Sequence, residues 1–507
     1  MPELYEFVPL YGDIHNHCGI SYGHGSLADA LANARERLDF VSITGHAHWP
    51  DMPKAIPRRK KTIEYHLTGF AKLKAGWSAM MDELRQKNEE GEFVVFPAFE
   101  VHFCATGDRN ILYKDLAGEI LYPSDLKDLN DQLRALRISG FDTLAQPHHI
   151  AYKKGTRGLD WTSFDPEFAP VVELLSMHGC SERSDNTHPF LHDMGPSDWE
   201  GTVQYGLSQG IVFGVTGGTD HHSAHPGSYG HGLTGLWAES CAREAIWSAL
   251  YNRRTWAMTG DKIQLRFLLN DQPMGSIVPS EGPREMKIEV QAGGAIDCID
   301  IIKNNRLLHR VSECDLVPMP EKKTVHTKLF LEVGWGPKDQ MYQWQVEFGI
   351  SDGLVLAVEP RFRGKQVVSP LDAKGGEKIF HTSRVIETDE TWVRYVTETE
   401  GNPNTFTNAS QGMCLDVQMP RDASVYAILN GQRMEWPLMD LIKGARSGLI
   451  DGLGSNAWRL NQAPLPHELN AQVEFTDPSG ENGDHYYVRV RQRNDQWAWS
   501  SPIFCRD

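Results

Sequence analysis

His15 and His17 flank Asn16, and in an extended chain residues two apart present their side chains to the same side. Two neutral imidazoles so placed can chelate one divalent cation. Other short apolar runs end on the same kinds of residue. His46 follows FVSITG, Glu100 follows FVVFPAF, His148 and His149 follow TLAQP, and Asp220 with His222 follows IVFGVTGGT. Imidazole and carboxylate ligands gathered at five strand ends suit zinc, iron or manganese, and they exceed the roughly four to six ligands that one ion uses. Two or three divalent transition metals are therefore expected, with Glu100 as the natural bridge, because one carboxylate between two ions lets them share a hydroxide. A set of unrelated buried histidines would explain the residue types but not their common position.

The elements that must carry these ends alternate. LYGDI, FVSIT, FVVFPAFE, NILYKD, DTLAQP, PVVELLS and IVFGVTGG read as strands, while LADALANARERL, FAKLKAGWSAMMDELRQKNEE and SDLKDLNDQLRAL have helical periodicity. Strand-then-helix repetition predicts parallel strands with crossover helices, and the polar residues fall at the C-terminal strand ends, where α/β folds carry their sites. Sixteen of the 21 histidines lie between His15 and His231, so the chemistry is expected in this half. The stretch 50–92 reads as an insertion that could roof the pocket. Near residue 262 the texture changes to alternating strands separated by Gly, Pro, Asn and Asp turns. The expectation is an α/β unit over 1–261 and a β-rich, sandwich-like domain over 262–507.

Composition narrows the function classes. The formal net charge is −17, which disfavours binding to a polyphosphate backbone, so no nucleic-acid partner is expected. No run of about 20 apolar residues occurs and the opening residues lack a basic, then apolar leader, so no membrane partner is expected either. Eight cysteines without a CxxC pair read as reduced thiols, which points to a cytoplasmic location. GxSxG after a strand, the Walker loop and GxGxxG after a strand are all missing, so serine-triad, nucleotide triphosphate and dinucleotide chemistries lack their local signatures.

GDIHNH, SITGH, FPAFE, QPHH and GGTDHH, in this order, resemble the metal-binding motifs of the PHP (polymerase and histidinol phosphatase) superfamily. GDRNILY, QPHHIAY, VELLSMHGCSE, HPGSYGHGLTGLWA, RRTWAMTG and VRVRQRNDQWAWSSPI look more closely like its DUF3604 branch, over nearly the whole chain. The resemblance implies a distorted (β/α)7 barrel with two or three metals. It makes His15 and His17 ligands of one ion, His46 a ligand of a second, and Glu100 a bridge. Asp220 and His222 would complete two of the ions, with one of His148 and His149 as a further ligand. His24 sits near where many relatives supply another histidine. Two departures stand out: Gly45 replaces the usual Asp of TDH, and Asp108 stands where the branch usually has a histidine before Arg-Asn. A third site is then either missing or completed by Asp108 or His102.

Arg109, Lys153, Lys154 and Arg157 follow metal-bearing strand ends and could receive a phosphate or carboxylate, although a solvated basic loop explains them equally well. His178 and Glu173 are candidates for a proton shuttle or for orienting a ligand. The leading function is a metal-dependent hydrolase in which a metal-bound hydroxide attacks a small-molecule phosphoester, with Glu100, His178 and Arg109 as catalytic candidates. Amide, lactone or carboxylic ester hydrolysis on the same centre is the runner-up. A carbohydrate- or protein-binding module with structural metals is the alternative from another class, and the surplus of ligands argues against it.

Overall fold

The computed structural model describes residues 7–54, 56–318, 322–365 and 382–507; the first six residues, included above in the search for a leader, lie outside the described residues. Strands β1 (Val8–Asp13), β2 (Phe40–His48) and β3 (Val94–Val101) lie parallel and adjacent. Helix α1 (Leu27–Arg35) crosses between the first two, its start set by Ser26, whose hydroxyl accepts from Asp29 N at 3.0 Å. The stretch 50–92 carries α2 (Lys60–Lys87), which buries His66, Gly69, Leu73, Met80, Met81 and Leu84 along one face. All eight residues of β3 are buried, as befits a strand covered on both sides. Val95, Phe99 and Val101 pack into the core that α1 and α2 share, whereas Val94, Phe96 and Ala98 pack into a second core with Phe40 and Leu10. Glu100 continues the even-numbered series, and it pairs in register with His46 of β2.

The chain continues through β4 (Arg109–Tyr113), α3 (Leu126–Ile138), β5 (Thr143–Pro147), β6 (Val171–Ser176), β7 (Gly179–Cys180), α4 (Val203–Ser208), β8 (Gly214–Gly217), β9 (Leu233–Ala238), α5 (Arg243–Tyr251) and β10 (Thr255–Met258). These ladders do not draw the expected closed (β/α)7 barrel among the described residues. β4 runs antiparallel to β3 and β5, β9 runs antiparallel to β1 and β10, and β6 with β7 and β8 forms a separate three-stranded sheet. One physical cause is plain at β3 to β4. The connection 102–108 is shorter than the dozen or so residues a parallel crossover needs, so the chain can only turn back. The fold here is mixed α/β, with β6 beside β5 and β8 beside β9 and β10.

Beyond residue 262 strands dominate. Two five-stranded sheets, one centred on Thr324–Gly334 and the other on Tyr342–Ile350, share an apolar core that includes Leu329, Leu331, Trp344, Phe348, Tyr395 and Leu415. The last strands return to the first half: Trp497–Ser500 pairs antiparallel with β10, so one sheet carries strands from both sides of residue 261. A loop of the β-rich half also clasps the loop after Asp220. Tyr229 N donates to Phe362 O at 2.9 Å, Gly364 N to Ser228 Oγ at 3.1 Å, and Ser223 Oγ to Lys365 O at 2.8 Å. No helix among the described residues is long and apolar enough to cross a membrane.

Candidate metal centre

The strand ends are drawn together by backbone pairing. Asp220 N donates to His15 O at 2.7 Å and His17 N donates to His221 O at 2.8 Å, so residues 15–17 and 220–221 run side by side. Asp220 adopts a left-handed backbone, with φ of 53°, which turns its carboxylate toward the two histidines. Asp13 locks this arrangement from beneath. Its carboxylate accepts from His15 N, Thr219 N, Thr219 Oγ1 and Gly227 N at 2.6 to 3.1 Å.

Glu100 stands at the middle, and its two oxygens face different neighbours. Oε2 lies 3.4 Å from His17 Nε2, 3.4 Å from His46 Nε2 and 3.8 Å from His15 Nε2. Oε1 lies 3.1 Å from His102 Nδ1 and 3.2 Å from His148 Nε2. Asp220 Oδ1 lies 2.9 Å from His17 Nε2 and 3.2 Å from His15 Nε2. Among the described residues, four groups each offer ligand atoms within 4.8 Å of one another: His15, His17 and Asp220; His17, His46 and His222; His46, Glu100 and His102; and Glu100, Asp108, His148 and His149.

These groups fit a divalent cation on two further counts. His15 Nε2 and Glu100 Oε2 are buried without a hydrogen-bond partner among the described residues, which is costly unless something else satisfies them. The protonation states also match at Glu100, His46 and His148, whereas burial is outweighed at His15 by Asp220 and Glu173 and at His102 by Glu100, which raise those two imidazoles above their ordinary value. Burial alone would raise the Glu100 carboxyl, yet the imidazoles of His46, His102 and His148 hold it well below the usual carboxylate range. Burial, reinforced by His17 at His46 and by His15 at His148, pushes both imidazoles well below their ordinary value. Ionised carboxylates and neutral imidazoles are the forms that bind cations.

His178 joins the centre from the side. Its Nε2 is 2.9 Å from Asp220 Oδ2 and its Nδ1 is 2.7 Å from the Tyr152 hydroxyl. Glu173 places Oε2 at 2.6 Å from His15 Nδ1 and accepts from His149 N through Oε1 at 3.2 Å. His24 and Arg109 contribute no atom to the four groups. His24 lines a cavity of about 370 Å³ with Ser21, Tyr22, Tyr65, Thr68 and Lys72. Arg109 is buried, and its Nη1 donates to the carbonyls of Thr106, Gly107 and Asp108, which turns the guanidinium toward its own loop. Lys153 and Lys154 pair with Asp198 and Asp160 at the surface, whereas Arg157 reaches the centre. Sequence reasoning gave no role to Asp13, Tyr152 or His66. Only Asp13, beside the HxH pair, carried a local signal.

Trp49, Tyr22 and His66 pack against the groups on the side of α2. The Tyr22 ring stacks on His46 with centroids 3.5 Å apart, and its hydroxyl lies 3.1 Å from His102 Nε2. His66 of α2 packs 5.1 Å from Trp49 and 5.6 Å from His102, centroid to centroid.

Known proteins resemble parts of this chain. It is 31% identical over 185 residues to an uncharacterized protein of Chlamydia trachomatis, a stretch covering 33% of this chain and 30% of that relative. It is 27% identical over 254 residues to an uncharacterized protein of Chlamydia pneumoniae, covering 46% of this chain and 40% of the relative. The chain thus matches less than half the length of either. A solved two-domain protein of Bacteroides vulgatus, containing a predicted PHP-like metal-dependent phosphoesterase, is similar at 15% identity, covering 60% of this chain and 81% of the other. The TM-score is 0.30. The family model DUF3604, described as a protein of unknown function, matches residues 220–273, a stretch that opens on Asp220 and includes His222.

Proposed function

We propose that the chain is a metal-dependent hydrolase acting on a small-molecule phosphoester. The observation that carries this reading is the placement of Glu100, whose two buried oxygens face separate sets of imidazoles at the strand ends. His15, His17 and Asp220 would hold one cation and His46 with His222 another, with Glu100 Oε2 between them. Cations there supply Lewis-acid polarisation of a phosphoryl oxygen and activation of water. The chain's own groups do the rest. Glu173 fixes the His15 ring so that Nε2 faces inward. His178, braced by Tyr152 and Asp220, is positioned to hand a proton to a leaving oxygen. The insertion 50–92 acts as a lid, with Trp49 and His66 limiting the access of water.

The test is a chelated protein reloaded separately with Mn, Fe or Zn and challenged with p-nitrophenyl phosphate, bis(p-nitrophenyl) phosphate, p-nitrophenyl acetate and a nitroanilide. Metal-restored cleavage of a phosphate ester supports the reading. Cleavage confined to the acetate or anilide replaces the phosphoester by a carboxylic ester or amide. Failure of every metal to restore any cleavage contradicts it.

A further inference from the structure

A fixed cation, Arg157, lies against the group formed by Glu100, Asp108, His148 and His149 and against His102 of a second group. Arg157 Nε donates to Asp108 Oδ2 at 2.5 Å, and its Nη2 donates to the same oxygen. Nη2 also lies 2.7 Å from His102 Nδ1 and 3.6 Å from Glu100 Oε1. A guanidinium has only donors, so at 2.7 Å it makes His102 Nδ1 its acceptor and engages that lone pair. The other oxygen of Asp108 is equally committed: Oδ1 accepts from Phe103 N at 2.8 Å. Both residues that could complete a third metal site are therefore taken by one side chain. That side chain is itself held, by Nη1 against Met194 Sδ at 3.0 Å and by the Trp49 ring 5.5 Å beneath the guanidinium carbon. A guanidinium this close to Asp108 and Glu100 repels a second positive charge at the same corner.

We propose that Arg157 substitutes for a third cation: it closes the Asp108 corner to metal, holds the centre at two ions, and supplies that corner's positive charge itself. This rests on the metal-centre reading above, but it commits to a number that the reading leaves open. It also gives the Asp108 departure a partner, because a histidine there would offer Arg157 no carboxylate.

The experiment counts ions by elemental analysis in the wild-type chain and in Arg157→Met, each chelated and reloaded with excess Mn or Zn. The expected result is two ions in the wild type and three in Arg157→Met, where Glu100 Oε1, Asp108 Oδ2, His148 and His149 become available. Three ions in the wild type, or two in a folded Arg157→Met, overturns the proposal while leaving the metal centre standing. One ion or fewer in the wild type overturns both. Anomalous scattering from wild-type crystals grown with Mn decides the matter even if the variant does not fold. Mn peaks beside His15 and His46 but not beside Asp108 support the proposal, and a peak bonded to Asp108 with Arg157 displaced overturns it.

Discussion

His15 Nδ1 and Glu173 Oε2 meet at 2.6 Å, both side chains buried, although 158 residues separate them in the chain. The carboxylate accepts a hydrogen bond from the His15 Nδ1–H and so turns Nε2 toward Asp220 and Glu100. Glu173→Gln keeps the shape but removes the charge that fixes this tautomer. Metal affinity should fall about 10- to 100-fold while the metal-free protein melts close to the wild-type temperature. Calorimetric titration with Mn or Zn, paired with thermal melting, checks this. An unchanged affinity with a lowered melting temperature would reduce Glu173 to a structural partner.

Gly45 stands where the resembling superfamily has aspartate, and α2 supplies the reason. A Cβ at Gly45 would lie 2.8 Å from Leu73 Cδ1 and 3.1 Å from Ile20 Cδ1. Gly45→Asp should therefore overpack the site and bury an unpaired charge, costing about 3 kcal/mol. Leu73→Ala on top of it should restore part of that loss. Melting curves of the single and double variants test the coupling, and a Gly45→Asp protein as stable as the wild type would refute it.

Arg109 carries no substrate in this account. Arg109→Met leaves the carbonyls of Thr106, Gly107 and Asp108 without its donors, so stability should fall by about 2–3 kcal/mol. Turnover and KM per folded molecule should stay unchanged. A raised KM for an anionic substrate in a fully folded Arg109→Met would return it to the site.

A pH effect is expected in the β-rich half. Glu359 forms a short ion pair with Lys328 and lies 3.6 Å from Arg361. Burial would raise its carboxyl, but Lys328 and Arg361 outweigh it and hold the value at about 2. Because the folded value lies below the ordinary 4.5, the stability it contributes is present above pH 4.5 and lost as pH falls toward 2. Glu359→Gln should cost about 3 kcal/mol at neutral pH, and the gap to wild type should narrow through that window. Denaturant melts at pH 7, 4 and 3 measure the gap, and a constant difference would contradict the assignment.

Much of this site could be read from types and positions alone, because its ligands end apolar runs and such runs are strands whose ends converge. His15, His17, His46, Glu100, His148 and Asp220 do come together. What escaped reading depended on direction and distance. NILY is equally apolar in a parallel or an antiparallel strand, so the reversal at β4 had no signature beyond a short connection. Arg109 and Arg157 look alike as basic residues after strand ends; only the fold turns one toward its own loop carbonyls and the other toward Asp108. The pairing of Trp497–Ser500 with β10 joins residues about half the chain apart, and no local periodicity encodes it.

The most direct measurement is metal content in Glu100→Gln. The substitution removes the negative charge shared by the surrounding imidazoles and replaces one cation-binding oxygen with an amide nitrogen. The account predicts that at least one ion is lost, that hydrolysis falls roughly 100-fold or more, about 2.7 kcal/mol, and that the protein still folds. Full metal content and unchanged turnover in Glu100→Gln would contradict the central place given to this carboxylate.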